Sequence, residues 1–321
     1  MTRKLSVCVL VAVMVFAVLG VCSAKSYSGK KVLYIDSYHQ GYPWSDGIAA
    51  GVKSVLEGKG IDLKVVYMDT KRNADEVFKK ESGDKIKAAI EQFKPDVVIA
   101  ADDNAQVYVI VKYFKDTNLP VVFCGVNWDA SAYGFPCKNV TGMLEVAPLP
   151  PLMEQLKKYA KGNRVGTIGP DNETNRKEAE YAEKNFGIKM EKVFVKDVEE
   201  WKKGFVELQS KVDMVIIDSD GGLYKGKEAE LKSFVEANTK VPTGTMYDFM
   251  TPYAMIGFTK IAEEQGDWAA TAALKILDGA SPGSIAVAKN EKGMLFVNAR
   301  IAKTLKADLP YDLLASAKVI E

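Results

Sequence analysis

The chain has 321 residues, 47% hydrophobic and 26% charged, with 43 Lys and Arg against 42 Asp and Glu for a formal charge of +1. That balance excludes a disordered, collagen-like or disulfide-dense polypeptide, and the near-zero charge argues against a nucleic-acid partner. His39 is the only histidine, so a multi-histidine metal site is excluded and any Ser-His or Cys-His catalysis would have to be built on that one residue.

Arg3 and Lys4 precede an apolar run from Leu5 to Cys22 broken only by Ser6 and Gly20, and Cys22 and Ala24 are the small residues expected before a cut after Ala24. This pattern predicts a secretory signal over residues 1–24, and hence a periplasmic or extracellular protein. The alternatives are a retained membrane anchor or lipid attachment at Cys22, although Val21 stands where a lipobox expects a small residue. Without Arg3 and Lys4 the remaining 297 residues carry 41 bases against 42 acids, a net of −1. They also keep only Cys124 and Cys137, which could form a disulfide or remain two separate buried thiols.

Strands and helices then alternate. Lys31–Asp36 reads as a buried strand followed by a helix from about Asp46 to Leu56; β-rich Ile61–Met68 is followed by a charged helix, Ala74–Phe93; Asp96–Ala101 is followed by a helix to about Phe114; then comes the strand Val121–Cys124. A proline cluster at Val146–Pro151 marks a crossover, after which the alternation restarts. Strands at Val165–Ile168, Lys192–Val195 and Met214–Asp218 precede helices near 175–186, 198–210 and up to about Ala237. A strand at Val241–Tyr247, a helix at Ile261–Leu277 and a late strand at Met294–Val297 lead into the last helices. Continuous β-branched runs suit parallel strands covered on both faces, so the fold class is α/β, with two doubly wound parallel sheets and a cleft between them.

Ligands of such sheets bind beyond the carboxyl ends of the strands. Those ends carry Ser37, Tyr38, His39 and Trp44; Asp102, Asp103 and Asn104; Asn127 and Trp128; Asp171 and Thr174; Asp218 and Asp220; and Tyr247 and Asp248. Carboxylates can hold an ammonium, hydroxyls and free N–H groups a carboxylate, and aromatic rings an apolar or cationic body. The mixture suits a small zwitterion or polar ring compound. Asp and Asn at these places also serve as helix caps, and Asp218 with Asp220 lacks a spaced third metal ligand, so neither metal nor cofactor is expected. The sequence contains no G-x-x-x-x-G-K-[ST], G-x-G-x-x-G or G-x-S-x-G motif, which removes the common phosphate-loop, dinucleotide and hydrolase signatures. A Cys124–His39 nucleophile pair or an Asp102–Asp218 glycosidase pair is formally available, but binding without catalysis is the expectation.

Several segments resemble the ABC-transporter substrate-binding proteins of the type I periplasmic fold, a group that includes tryptophan- and tyrosine-type binders and related sensor ectodomains. They are Ser37–Trp44, Pro120–Trp128, Asn139–Met143 with Glu145, Leu274–Gly279, and Val297–Ala302 followed by Leu309-Pro310. The resemblance implies two lobes joined by a multi-strand hinge. The first lobe would comprise residues 29–145 plus about 250–282, and the second 146–249 plus about 283–321. It further implies a monomer that closes on an amino acid or similar small molecule and delivers it to an ABC permease, the alternative being a ligand-sensing or membrane-tethered receptor.

Overall fold

A computed structural model describes residues 26–321; the expected signal segment and Cys22 lie outside the described residues. The first half builds β1 (Lys31–Asp36), α1 (Pro43–Leu56), β2 (Asp62–Tyr67), α2 (Glu76–Phe93), β3 (Val97–Ala101), a short α3 (Asp102–Ala105), β4 (Val121–Asn127) and β5 (Val140–Glu145). The apolar runs read from the sequence become the buried strands. Val32, Leu33 and Ile35 of β1 and all five residues of β3 are shielded on both faces. Beyond α3 the helix continues as a π-helix over Gln106–Phe114, a wide-wound geometry concentrated at functional sites.

The second half builds α4 (Leu149–Lys157), β6 (Val165–Pro170), α5 (Glu173–Phe186), β7 (Met190–Val195), α6 (Val198–Leu208), β8 (Met214–Ile217), α7 (Glu228–Asn238), β9 (Thr243–Thr245) and β10 (Ile256–Lys260). Then follow α8 (Ala262–Leu277), β11 (Ala288–Lys289), β12 (Gly293–Asn298) and β13 (Lys318–Ile320). The strands form a six-stranded sheet in the order β11-β5-β4-β3-β1-β2 and a seven-stranded sheet in the order β13-β12-β10-β9-β8-β6-β7. Every neighbouring pair is parallel except β10 with β12. The protein is thus two α/β lobes, each a doubly wound parallel sheet.

The chain passes between lobes three times: after β5, between β10 and α8, and between β11 and β12. Return to the first sheet therefore begins after Lys260 rather than near residue 250, because Ile256–Lys260 is a second-sheet strand, and it lasts through Lys289. Side chains staple the three passages together. Asn290 accepts from Val146 N (2.7 Å) and donates to Val146 O (3.1 Å), while Glu264 accepts from the backbone N–H groups of Glu291 (2.9 Å) and Lys292 (3.0 Å).

Helix α8 reaches the first lobe by lying directly on α1. A Cβ at Gly266 would sit 2.0 Å from the Ile48 carbonyl, and one at Gly51 would sit 2.2 Å from that of Glu263; only glycine lets the two backbones touch. On this face Val52, Ala269 and Ala273 join Cys124 in one core cluster, whereas Cys137 packs against the other cluster, across the sheet. Both cysteines are free thiols. The disulfide expected as one option does not form, since the sheet separates the two residues. In the second lobe Trp201 is fully buried, stacked on Phe205 at 5.0 Å and edge-on to Tyr224.

Candidate functional site

The carboxyl ends of both sheets face the interlobe space, and the first lobe contributes a densely bonded wall. Asp36, fully buried, accepts from Ser45 Oγ (2.7 Å), Tyr38 N (2.8 Å) and the Tyr34 hydroxyl (3.2 Å). Ser37 is likewise buried; its hydroxyl donates to Ala101 O (2.6 Å) and accepts from Ala105 N (2.8 Å). It ties β1 to β3 and α3 and is spent on the scaffold. Asn104 donates to Thr70 Oγ1 (2.8 Å), and Asp103 accepts from Asn127 (2.8 Å) and the Tyr133 hydroxyl (2.7 Å). His39 rests against Tyr42 with Nδ1 3.7 Å from Asp69. The ammonium of Lys71 lies 5.1 Å from the ring centres of both Tyr38 and Tyr42, a cation–π arrangement at the rim.

Asp102 is the deepest acid of this wall, 2% exposed. Its Oδ1 accepts from Trp44 Nε1 (3.1 Å), while Oδ2 has no hydrogen-bond partner. Its φ of +64° is strained for a residue other than glycine, and such strain clusters at functional sites. Room for it comes from a bulge in β4: the register with β5 slips between Phe123 and Val126, and a Cβ on Gly125 would meet Asp102 Oδ1 at 2.8 Å. Burial, reinforced by the anions Glu145 and Asp36, holds the Asp102 carboxyl well above the usual carboxylate range. Burial together with the charge of Asp102 also raises the phenol of Tyr38, Asp102 contributing most.

The second lobe contributes fewer bonds. Asp218, 4% exposed, accepts from Thr167 Oγ1 (2.6 Å). Glu178 projects from α5, is 9% exposed and has Oε2 without a donor. Burial raises both carboxyls. The Tyr247 hydroxyl lies close enough to Glu178 for the two to interact electrostatically, but not in hydrogen-bond geometry, and it too is buried without a partner. Lys260, at the end of β10, donates to Glu145 at the end of β5. Its ammonium also lies 5.6 Å from the centre of the Trp44 ring. Burial alone would lower this lysine, but Glu145 and Glu178 more than offset that and keep it charged.

Four of the expected second-lobe residues lie outside this buried cluster. Asp171 is exposed and pairs with Arg176 (2.6 Å), Thr174 is exposed, Asp220 caps its own turn by accepting from Gly222 N and Tyr224 N, and exposed Asp248 accepts from Phe249 N. The cap of α5 is Asn172, which accepts from Asn175 N (2.9 Å). One residue beyond Thr174, fully buried Asn175 binds Pro170 O and Ser219 O. Trp128 crosses the lobe boundary: its indole stacks on Tyr181 of α5 at 5.1 Å, 2° from parallel, and covers a small cavity lined by Glu178, Ala179, Ile216, Asp218 and Met246. Glu178 and Lys260 went unrecognised in the sequence, although Asn175, Glu178, Ala179 and Ala182 share helical spacing on one face. No group of three His, Cys, Asp or Glu side chains among the described residues is placed to hold a metal ion.

The family profile described as ABC transporter substrate binding protein matches residues 42–320. The chain belongs to this family. As a substrate-binding protein it has the two-lobed architecture of solved relatives. A substrate-binding protein with adhesive properties from Clostridium difficile, in its ligand-free open form, has a TM-score of 0.69 at 21% identity over 91% of this chain and 99% of that one. A Streptococcus pneumonia ABC domain in complex with L-Trp has a TM-score of 0.58 at 19% identity over 91% and 100%. A periplasmic ribose ABC transporter protein from Conexibacter woesei has a TM-score of 0.56 at 16% identity over 88% and 97%. No curated protein sequence matches. In this substrate-binding protein, Trp44, Asp102 and Glu145 of one lobe and Glu178 of the other gather around Lys260, with Asp218 and Tyr247 near Glu178.

Proposed function

We propose that this substrate-binding protein works outside the cytoplasm, captures a small polar molecule carrying a protonated nitrogen, such as an amino acid or related zwitterion, between its lobes, and delivers it to an ABC permease. The observation that carries the reading is that each lobe presents a buried carboxyl with an oxygen lacking any donor, Asp102 Oδ2 and Glu178 Oε2. Unsatisfied buried acceptors are costly, and a ligand N–H would satisfy them. Trp44, Tyr38, Tyr247 and Trp128 supply aromatic walls for the ligand body. Closure over the three short passages is the motion by which two-lobed binders trap ligands. The family's role in transport favours delivery over sensing.

A thermal-shift screen of amino acids, purines, sugars and small carboxylates tests the reading, because a specific ligand raises the melting temperature by linkage. For the compound found, Asp102→Asn should weaken binding by about tenfold or more, the loss of one charge-assisted hydrogen bond. Unchanged calorimetric affinity would remove Asp102 from the site.

A further inference from the structure

The charge count around Lys260 narrows the ligand class, and this step rests on the binding function just proposed. Three carboxyl groups surround one ammonium: Glu145 bonds to it, and Glu178 and Asp102 lie within its electrostatic reach. The charged groups acting most strongly on Asp102 are the anions Glu145, Asp36 and Asp103. Lys71 is engaged with the rings of Tyr38 and Tyr42. Asp102 and Glu178 are each at least nine-tenths buried, belong to opposite lobes, and each keep one oxygen without a donor. A single ammonium bonded to one wall leaves the other carboxyl unsatisfied. A neutral ligand corrects neither charge, and an anion faces three carboxyls.

We infer that the ligand is an organic dication, a molecule with two protonated nitrogens, one held by Asp102 and the other by Glu178. The methylenes between its nitrogens lie along Trp44 and Tyr247, whose ring faces also favour cations. Diamines and dibasic amino acids share this chemistry. Burial raises both carboxyls in the free protein, and a bound dication favours their charged forms and opposes that rise.

Calorimetry on the whole protein with putrescine, cadaverine, L-ornithine and L-lysine, each against the analogue with one amino group fewer, tests this. At least one dication should bind about tenfold or more tightly than its matched monocation. Glu178→Gln should bring the pair close to parity while still unfolding cooperatively. A preference confined to the diamines, or to the dibasic amino acids, identifies which of the two is the ligand. Monocations binding as tightly as dications would overturn the inference and leave the receptor function standing, as would a purely neutral or anionic hit in the broader screen. Failure of every compound in both experiments would overturn the binding function itself.

Discussion

The two walls of the interlobe site are built by opposite means. On the first, loops following β1, β3 and β4 are knitted into one network, so that Asp36, Ser37, Asp103 and Asn104 spend their polar atoms on neighbours. On the second, Asp218 holds a single hydroxyl, and Glu178 and Tyr247 keep atoms without partners. The first wall is thus shaped before a ligand arrives, which limits the ordering cost of binding. The second lacks such a network, although each wall keeps one carboxyl oxygen without a donor, Asp102 Oδ2 and Glu178 Oε2. Specificity in such a receptor is divided between a densely networked template and a sparsely bonded partner.

The strongest challenge to this division is Lys260→Met. Lys260 lies on the second sheet but balances Glu145 of the first lobe and Glu178 of the second. Its loss strands buried carboxylates on both sides, and stability measured by chemical denaturation should fall by about 3 kcal/mol. A much smaller change would mean that the two walls are electrostatically independent. Ser45→Ala should act on the first wall alone. It removes one donor to Asp36, costs about 1–2 kcal/mol in the same assay, and should weaken ligand binding by loosening the template.

The smallest effect sharpens the comparison through pH. The carboxyls of Asp102, Glu178 and Asp218 are raised in the folded state, chiefly by burial. Raised acids contribute stability that is complete below the unfolded value of about 4 and is lost as pH climbs through the folded values. The ligand-free protein should therefore melt higher at mildly acidic pH than at pH 8. The surface acids paired with Arg and Lys, such as Asp69, Asp171 and Asp213, are lowered by those partners and set the decline at stronger acidity. Differential scanning fluorimetry should show Asp102→Asn flattening the first trend; an unaltered profile would place the pH response elsewhere.

Much of the fold could be read because β1, β3, β4 and β8 are built on apolar runs. Strand β10 escaped notice: Ile256-Gly257-Phe258-Thr259-Lys260 is neither apolar nor β-branched throughout, and Gly257 is required only because Thr251 and Phe296 crowd it. The π-helix at Gln106–Phe114 has the same apolar pattern as an α-helix, so its extra width leaves no mark in the residues. At the interlobe walls, the strand-end rule selects Tyr38, Trp44, Asp102, Asp218 and Tyr247 as candidates. It does not say which side chains are buried, hence the exposed Asp171 and Asp248. It is blind to Glu178, which comes from a helix face, and to Lys260, whose charge reads as an ordinary surface lysine until two lobes close around it.

The contact of α1 with α8 through Gly51 and Gly266 has a consequence for how the protein assembles. As the chain grows or emerges from a membrane, the apolar stripe of α1 has no cover until residue 277 has appeared, and the first sheet lacks its edge strand until residue 289. The five strands from β6 to β10 are, by contrast, contiguous between residues 165 and 260. The core of the first lobe waits, partly open to water, while five of the seven strands of the second sheet are laid down between its two parts, which makes that interval the period of greatest exposure to misassociation.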